Sequence, residues 1–180
     1  YYADMTGVYP YDPAKARALL QEAGYGDGLR LTLSLPNQYP YAVRAGEIVA
    51  DQLRRVGIQV DIELVEWATW LSRIFGDADY DLTVIGHAEP MDIGIYANPD
   101  YYFRYDNPTV RELLQAARRT SDEDERAEIY RRLQALLAED AVNAWLYARS
   151  YFVLSRADVY GWWEALPMVI TDVTAVYIAR

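Results

Sequence analysis

The chain has 180 residues, of which 52% are hydrophobic and 24% are charged, and its formal net charge is −10 at pH 7. This composition is typical of one globular domain, and the acidic balance argues against nucleic acid or an anionic membrane surface as a partner. The sequence has no cysteine, which excludes disulfides and thiolate chemistry. No apolar run approaches the ~20 residues that a membrane helix needs.

The first predicted elements alternate between helix and strand. Asp12 and Pro13 have the residue types that begin a helix, as N-cap and first helical residue. Next, the pattern predicts a strand over residues 29–35, a helix over 42–56 and a second strand over 58–65. A strand, a helix and a strand joined by short connections indicate two parallel strands with a right-handed crossover.

A third strand is predicted where the short apolar run 82–85 ends at Gly86, after a helix over residues 66–75. Helices are also predicted over residues 108–118 and 122–139. Together these elements predict an α/β fold with a mainly parallel core sheet and flanking helices.

The end of the chain differs in character. Residues 144–147, 151–154 and 173–178 have the pattern of strands, with more aromatic residues and no helix. We expect this part of the chain to lie outside the layer that the preceding elements form.

A polar segment follows the third strand. It holds His87, the only histidine, together with Glu89 and Asp92. Because open α/β sheets build ligand sites at the carboxyl ends of their strands, we expect this segment to lie at a site. The favoured hypothesis is an anchor for a cationic group of an organic ligand. The alternatives are a charged surface loop and a metal site, although the segment has neither a second histidine nor a cysteine.

Aromatic residues are dense in two further places. Residues 95–105 include five aromatic side chains, which either pack the loop down on the domain or face a ligand or another lobe. Trp67 and Trp70 begin the helix after the second strand, and we expect one in the core and the other at the crevice. Trp67 and Tyr96 are therefore candidate ligand-binding residues.

The sequence does not favour catalysis. A Ser-His-Asp arrangement would have to use His87, and no Gly-x-Ser-x-Gly motif supplies the serine. The glycine-rich residues 24–28 precede a strand, whereas a phosphate-binding loop leads from a strand into a helix. We expect neither an enzyme nor a cofactor.

Several segments resemble one known family. Residues 11–25, Tyr-Asp-Pro-Ala-Lys-Ala-Arg-Ala-Leu-Leu-Gln-Glu-Ala-Gly-Tyr, closely resemble the signature "YDPEKAKALLAEAGY" of the extracellular solute-binding proteins, family 5, of bacterial ABC importers. Other landmarks follow in the family's order: Val-Gly-Ile-Gln-Val at 56–60, Tyr-Asp-Leu at 80–82, and the helix at 121–130 that is similar to "DxxERxxxY".

The resemblance implies one lobe of a type II periplasmic-binding-protein fold, and the start of the chain without methionine indicates a piece of a longer protein. In this interpretation residues 1–11 are a hinge-proximal connector, 12–140 are the ligand-binding lobe, and 141–180 are C-terminal strands that return toward the absent first lobe. The implied partners are a peptide or another amine-bearing small molecule, the N-terminal lobe of the same protein and an ABC permease. The implied location is the periplasm, or the extracellular side of a Gram-positive membrane to which the protein is tethered.

The family also suggests roles at the site. Its site strand leads into a "GW…D…DP" loop whose first aspartate often holds the ligand's ammonium group. Gly86-His87 stands where Gly-Trp is usual, Glu89 falls at the first acid and Asp92 at the second. Because a histidine removes a stacking surface and glutamate is longer than aspartate, a standard dipeptide pocket is not expected.

The predicted ligand-binding residues share a place at or near the expected crevice: Glu89, Asp92, His87, Trp67 and Tyr96. No metal site is assigned. The alternative function is a nickel- or zinc-binding protein, or a metal-dependent enzyme, that uses His87, Glu89 and Asp92.

Overall fold

The computed structural model describes residues 1–87, 92–148, 152, 154–163 and 172–179. The chain divides into two compact units, which we call the first unit and the second unit. The first unit comprises Tyr1–Gly86 and Gly94–Val142, and the second comprises His87–Ile93 and Asn143–Arg180.

A sheet of three parallel strands is the centre of the first unit. The strands are β1 (Leu29–Pro36), β2 (Ile58–Val65) and β3 (Leu82–Thr83), in the spatial order β2-β1-β3. β1 is central and pairs with β2 along its whole length. It pairs with β3 through two residues only. The parallel pairing confirms the predicted β-α-β-α-β arrangement.

Among the described residues, the predicted helices occur in the predicted order, together with a 3₁₀-helix that the sequence pattern did not predict. They are α1 (Pro13–Glu22), α2 (Pro40–Arg54), α3 (Trp67–Thr69), which continues as a π-helix (Trp70–Gly76), a 3₁₀-helix (Asp92–Ala97), α4 (Pro108–Arg119) and α5 (Glu123–Glu139). Three helices begin at a side-chain cap, from Asp12, Asn107 and Asp122, whose oxygen atoms accept hydrogen bonds from amides of the first turn.

The helix predicted over residues 66–75 differs from a regular α-helix. It starts as α3 and widens into the π-helix, in which the side chains of Trp70 and Ile74 are buried. π-helical turns are rare in proteins, and those that occur are often found at functional sites. β3 is also shorter than the run 82–85 from which it was predicted.

Helix α2 covers one face of the sheet. Leu33 and Leu35 of β1 pack with Val60 of β2 and Ala50 of α2 in a buried cluster. Gly46 lets the backbone of α2 approach β1 closely, since a Cβ atom at this position would lie 2.5 Å from Cδ1 of Leu35. α2 is therefore pressed against the central strand.

The opposite face of the sheet combines an apolar cluster with a polar one. Val65, Trp70 and Ile74 pack together with Tyr102 in the apolar cluster. Ser34, which is almost fully buried, donates a hydrogen bond of 3.0 Å to Oε2 of Glu63, its neighbour on β2. Arg73 of the π-helix forms an ion pair with Glu63 and donates to Oγ of Ser34 at 3.1 Å.

Two helices and the start of the chain complete the first unit. α4 and α5 pack against each other, and α4 buries one face that consists of Val110, Leu113, Leu114 and Ala117. The side-chain amide of Gln134, on α5, accepts a hydrogen bond from the amide of Ala3 at 3.1 Å and donates one to the carbonyl of Tyr1 at 2.7 Å. The ring of Tyr1 stacks on Tyr130 at 5.1 Å.

The second unit contains a short antiparallel pair of strands, β4 (Val159–Tyr160) and β5 (Tyr177–Ile178). The rings of Tyr160 and Tyr177 stack across this pair, 5.7 Å apart. β5 is the end of the strand predicted over residues 173–178. For the strand predicted over 151–154, residues 151 and 153 lie outside the described residues.

The strand predicted over residues 144–147 is wrong, because that segment has no strand conformation. Its aromatic side chains are exposed, with Trp145 and Tyr147 each 58% accessible. A β-strand propensity reflects packing on a half-buried, pleated surface, and these side chains lack that burial.

In the part of the chain that the structure describes, none of the helices combines the length and the hydrophobicity that crossing a membrane requires.

Candidate functional site

The loops that follow β1 and β2 meet at the carboxyl edge of the first unit's sheet. The amide of Asn37 donates to the carbonyl of Val65 at 3.0 Å, which extends the strand pairing by one step. The side-chain amide of Asn37 donates to Oε1 of Glu66 at 2.5 Å. Two residues away from Asn37, the ring of Tyr39 contacts Trp67 edge to face at 5.3 Å. A polar pair and an aromatic pair thus join the same two loops.

Two tryptophans continue the aromatic contact into the core. The rings of Trp67 and Trp70 stack 4.9 Å apart and are nearly parallel, with an angle of 9°. Trp70 is 3% exposed, and its Nε1 donates to Oγ1 of Thr83 at 3.0 Å. That hydroxyl donates in turn to the carbonyl of Ser34 at 2.7 Å. Trp70 is the core member of the pair, and Trp67 is half-buried.

A tyrosine holds the end of the third strand. The amide of Gly86 donates to the hydroxyl of Tyr41, in the first turn of α2, at 3.0 Å. A Cβ atom at Gly86 would lie only 3.2 Å from that hydroxyl oxygen. Since β3 itself has two residues, this hydrogen bond fixes the backbone at the point where the chain leaves the first unit's sheet region.

Charges along β2 differ in how they are balanced. Asp61 pairs with Arg30 at 2.8 Å, and both side chains are exposed. Glu63 pairs with Arg73, whose hydrogen bond is the main cause that lowers the pKa of the Glu63 carboxyl. Glu66, just beyond the strand, has no ion pair with any described residue. Within the described residues, the carboxylate of Glu66 therefore accepts a hydrogen bond from Asn37 but has no positively charged partner.

The second unit brings two predicted site residues together. Nδ1 of His87 lies 3.5 Å from Oδ2 of Asp92, and their side chains are 32% and 30% exposed. Glu89 lies among residues 88–91, outside the described residues. Over the described ranges, no group of three or more His, Cys, Asp or Glu residues could hold a metal ion.

Comparison with known proteins decides the family. The family described as bacterial extracellular solute-binding proteins, family 5 Middle, matches residues 1–109. The chain belongs to the bacterial extracellular solute-binding proteins, family 5. The predicted family is therefore confirmed, and the type II periplasmic-binding-protein fold is confirmed by the solved structures that the chain resembles.

Three relatives of this family 5 chain show the extent of the likeness. The dipeptide-binding protein of Escherichia coli strain K12 is 29% identical over 181 residues, which cover 89% of this chain and 33% of that protein. The dipeptide binding protein from Pseudoalteromonas sp. SM9913, solved with Met-Leu, is 26% identical with a TM-score of 0.70, covering 94% of this chain and 36% of that one. The oligopeptide-binding protein AppA from Bacillus subtilis, solved with a nonapeptide, is 21% identical, with a TM-score of 0.73. The match covers 99% of this chain and 41% of that one, and it concerns the fold alone. The chain spans about a third of the length of the curated relatives it matches.

The aromatic loop of this family 5 chain packs on the first unit. Tyr102 is buried, and this burial is the main cause that raises the pKa of its phenol. Its ring contacts Trp70 at 5.8 Å. Tyr96 is 8% exposed and stacks on Phe103 at 5.2 Å. The structure thus places Tyr96 within a packed aromatic cluster, and its contact with a ligand stays a prediction, as does that of Trp67.

Three residues at the carboxyl edge of this family 5 chain were not among the predicted site residues: Asn37, Tyr41 and Glu66. Their positions carried a signal, because each comes just after a predicted strand or at the start of the helix that follows it. Their mutual contacts depend on which loops the sheet brings side by side, which the strand order β2-β1-β3 determines.

Proposed function

We propose that the full-length protein captures a small peptide or another amine-bearing small molecule for an ABC importer, with this chain as one lobe of a hinge-closing binding protein. The observation that carries the proposal is the carboxyl edge of the parallel sheet, where the same two loops hold an aromatic pair, Tyr39 and Trp67, and a carboxylate, Glu66, that has no ion pair with any described residue. The names of the family 5 relatives support it, since one is a dipeptide-binding protein and another was solved with Met-Leu. Ligand would stabilise the closed state through contacts made only there.

The proposal gives each part of the chain a role. Residues 1–11 are the connector near the hinge, 12–140 are the ligand-binding lobe, and 141–180 return toward the first lobe. The protein binds and releases its solute without turnover, so it is not an enzyme. It works in the periplasm, or tethered outside a Gram-positive membrane, and delivers the solute to the ABC permease.

The ligand anchor is placed at the polar segment after Gly86. We assign the cationic group of the ligand to Glu89, with Asp92 as the second choice, and the contact between His87 and Asp92 supports a role for the second acid. Removal of one partner of a desolvated charge pair costs ~2–5 kcal/mol. Isothermal titration of the full-length protein with dipeptides tests the anchor: Glu89→Gln lowers affinity by about tenfold or more, whereas unchanged affinity in both Glu89→Gln and Asp92→Asn refutes it.

The contact between His87 and Asp92 is also the observation that favours the metal alternative. Elemental analysis of the purified full-length protein separates the two functions. Capture of an organic solute predicts no stoichiometric zinc or nickel in the parent or in His87→Ala. A stoichiometric metal in the parent that is lost in His87→Ala would replace the proposed function with metal binding.

A further inference from the structure

Glu66, just beyond β2, differs from the acids of that strand in what surrounds it. Asp61 and Glu63 each face an arginine, which neutralises them within the fold. Glu66 faces the amide of Asn37, a neutral donor, and it is exposed at the carboxyl edge. The hydrogen bond reaches Oε1, and within the described ranges Oε2 accepts no hydrogen bond. One carboxylate oxygen is thus held in place while the other is free to accept.

An aromatic pair, Tyr39 and Trp67, joins the same two loops as Asn37 and Glu66 and suits the same chemistry. Trp67 is the next residue, and its ring is held by the stack on Trp70 and by the edge contact with Tyr39. Ammonium and guanidinium groups bind where a carboxylate and aromatic rings converge, because the carboxylate gives a charge-assisted hydrogen bond and the rings add a cation–π attraction. A net charge of −10 favours the approach of a cation.

We propose that Glu66 is a second ligand-binding carboxylate, which recognises a basic side chain of the captured peptide, and that Asn37 is its positioning residue. The inference rests on the proposed function, because it assigns a specificity to the same solute. It concerns the first unit alone: Glu66 distinguishes ligands that carry a positively charged side chain from those that do not.

The experiment compares two dipeptides that differ in one charge. Lys-Ala and norleucine-Ala have side chains of similar length, and only the first carries an ammonium group. Affinities of the full-length protein are measured by isothermal titration for the parent and for Glu66→Gln, whose amide oxygen can still accept from Asn37. We expect Glu66→Gln to lower the affinity for Lys-Ala by about tenfold and that for norleucine-Ala by less than about twofold.

Two further variants sharpen the result. Asp61→Asn removes one negative charge from β2, the strand that precedes Glu66, at a site already paired with Arg30, and it should change neither affinity by more than about twofold. Asn37→Ala keeps the charge of Glu66 but frees its side chain, so the preference for Lys-Ala should fall by about threefold. The near-ultraviolet circular dichroism of Trp67 and Trp70 reports whether either variant disturbs the tryptophan stack.

The outcomes separate the two proposals. If Glu66→Gln changes both affinities equally, or changes neither, the role of Glu66 is refuted and peptide capture stands. An Asp61→Asn variant with the same selective loss would also refute it, since the effect would then come from overall charge. If the parent binds neither dipeptide, peptide capture fails and this inference fails with it, whereas binding of another amine-bearing molecule would keep the proposed function and refute the role of Glu66 in peptide recognition.

Discussion

Replacement of Gly46 by alanine tests how tightly α2 is pressed on the sheet. A Cβ atom at Gly46 would lie 2.5 Å and 2.9 Å from Cδ1 and Cδ2 of Leu35, well inside van der Waals contact. Leu35 is 0% exposed and belongs to the cluster that α2 covers. To admit the added methyl group, either the buried side chain of Leu35 or helix α2 must shift.

Two opposing contributions set the size of the effect. Alanine is more favourable than glycine in a helix interior by about 1 kcal/mol. Insertion of a methyl group into a packed core costs typically about 1–3 kcal/mol. The overlap at Gly46 places the cost in the upper part of that range, and we expect Gly46→Ala to lower the free energy of unfolding by about 1–2 kcal/mol.

Urea denaturation followed by circular dichroism and tryptophan fluorescence measures this change. The companion variant Leu35→Ala removes the atoms that Gly46→Ala would meet, at a cost of about 2–5 kcal/mol. In that background Gly46→Ala should become stabilising by about 1 kcal/mol, because only the helix propensity remains. If Gly46→Ala stabilises the parent chain by the same amount, the reasoning on close packing is wrong.

Three further predictions concern the site, the polar cluster and the length of the chain. Tyr41→Phe removes the acceptor for the Gly86 amide, and we expect a threefold to tenfold loss of peptide affinity, by titration, with about 1 kcal/mol or less lost from stability. Arg73 lowers the pKa of Glu63, so the stability that Glu63 contributes is present above its unfolded pKa and is lost as pH falls through the lower, folded pKa. The difference in urea midpoint between the parent and Glu63→Gln should therefore narrow below about pH 4, and a constant difference would contradict the pairing. The 180-residue chain alone should fold yet bind peptide about a thousandfold more weakly than the full-length protein, since one lobe supplies roughly half of an enclosed pocket; equal affinities would place the whole pocket in this chain.

The sheet and its helices could be predicted because their signals are local. Alternation along residues 29–35 and 58–65 and the apolar face of 42–56 each fit one element, and the structure forms β1, β2 and α2 there. The parallel order followed from the short connections, which leave room only for a crossover helix.

The π-helix could not be predicted from the same signals. Apolar spacing indicated a helix over residues 66–75, but the choice between α and π hydrogen bonding depends on what the side chains meet. Here Trp70 and Ile74 are buried in a cluster with Val65 and Tyr102, members of distant parts of the chain. Tertiary packing therefore determined the local geometry.

The loops of the candidate site could be predicted from the sequence, but the contacts between them could not, for a similar reason. The expectation that ligand residues follow the strands located the loops that hold Trp67 and Gly86. It did not identify the hydrogen bonds from Asn37 to Glu66 and from Gly86 to Tyr41, because they join residues 29 and 45 positions apart in the sequence. Such pairs become neighbours only when the order of the strands is known.

Gln134 fixes the position of the start of the chain along helix α5. One side-chain amide both donates to the carbonyl of Tyr1 and accepts from the amide of Ala3, so the two bonds span a fixed stretch of backbone. A slip of this segment by a single residue would break both bonds at once and would lift the ring of Tyr1 from Tyr130. These three contacts consequently fix the register of residues 1–3 along α5.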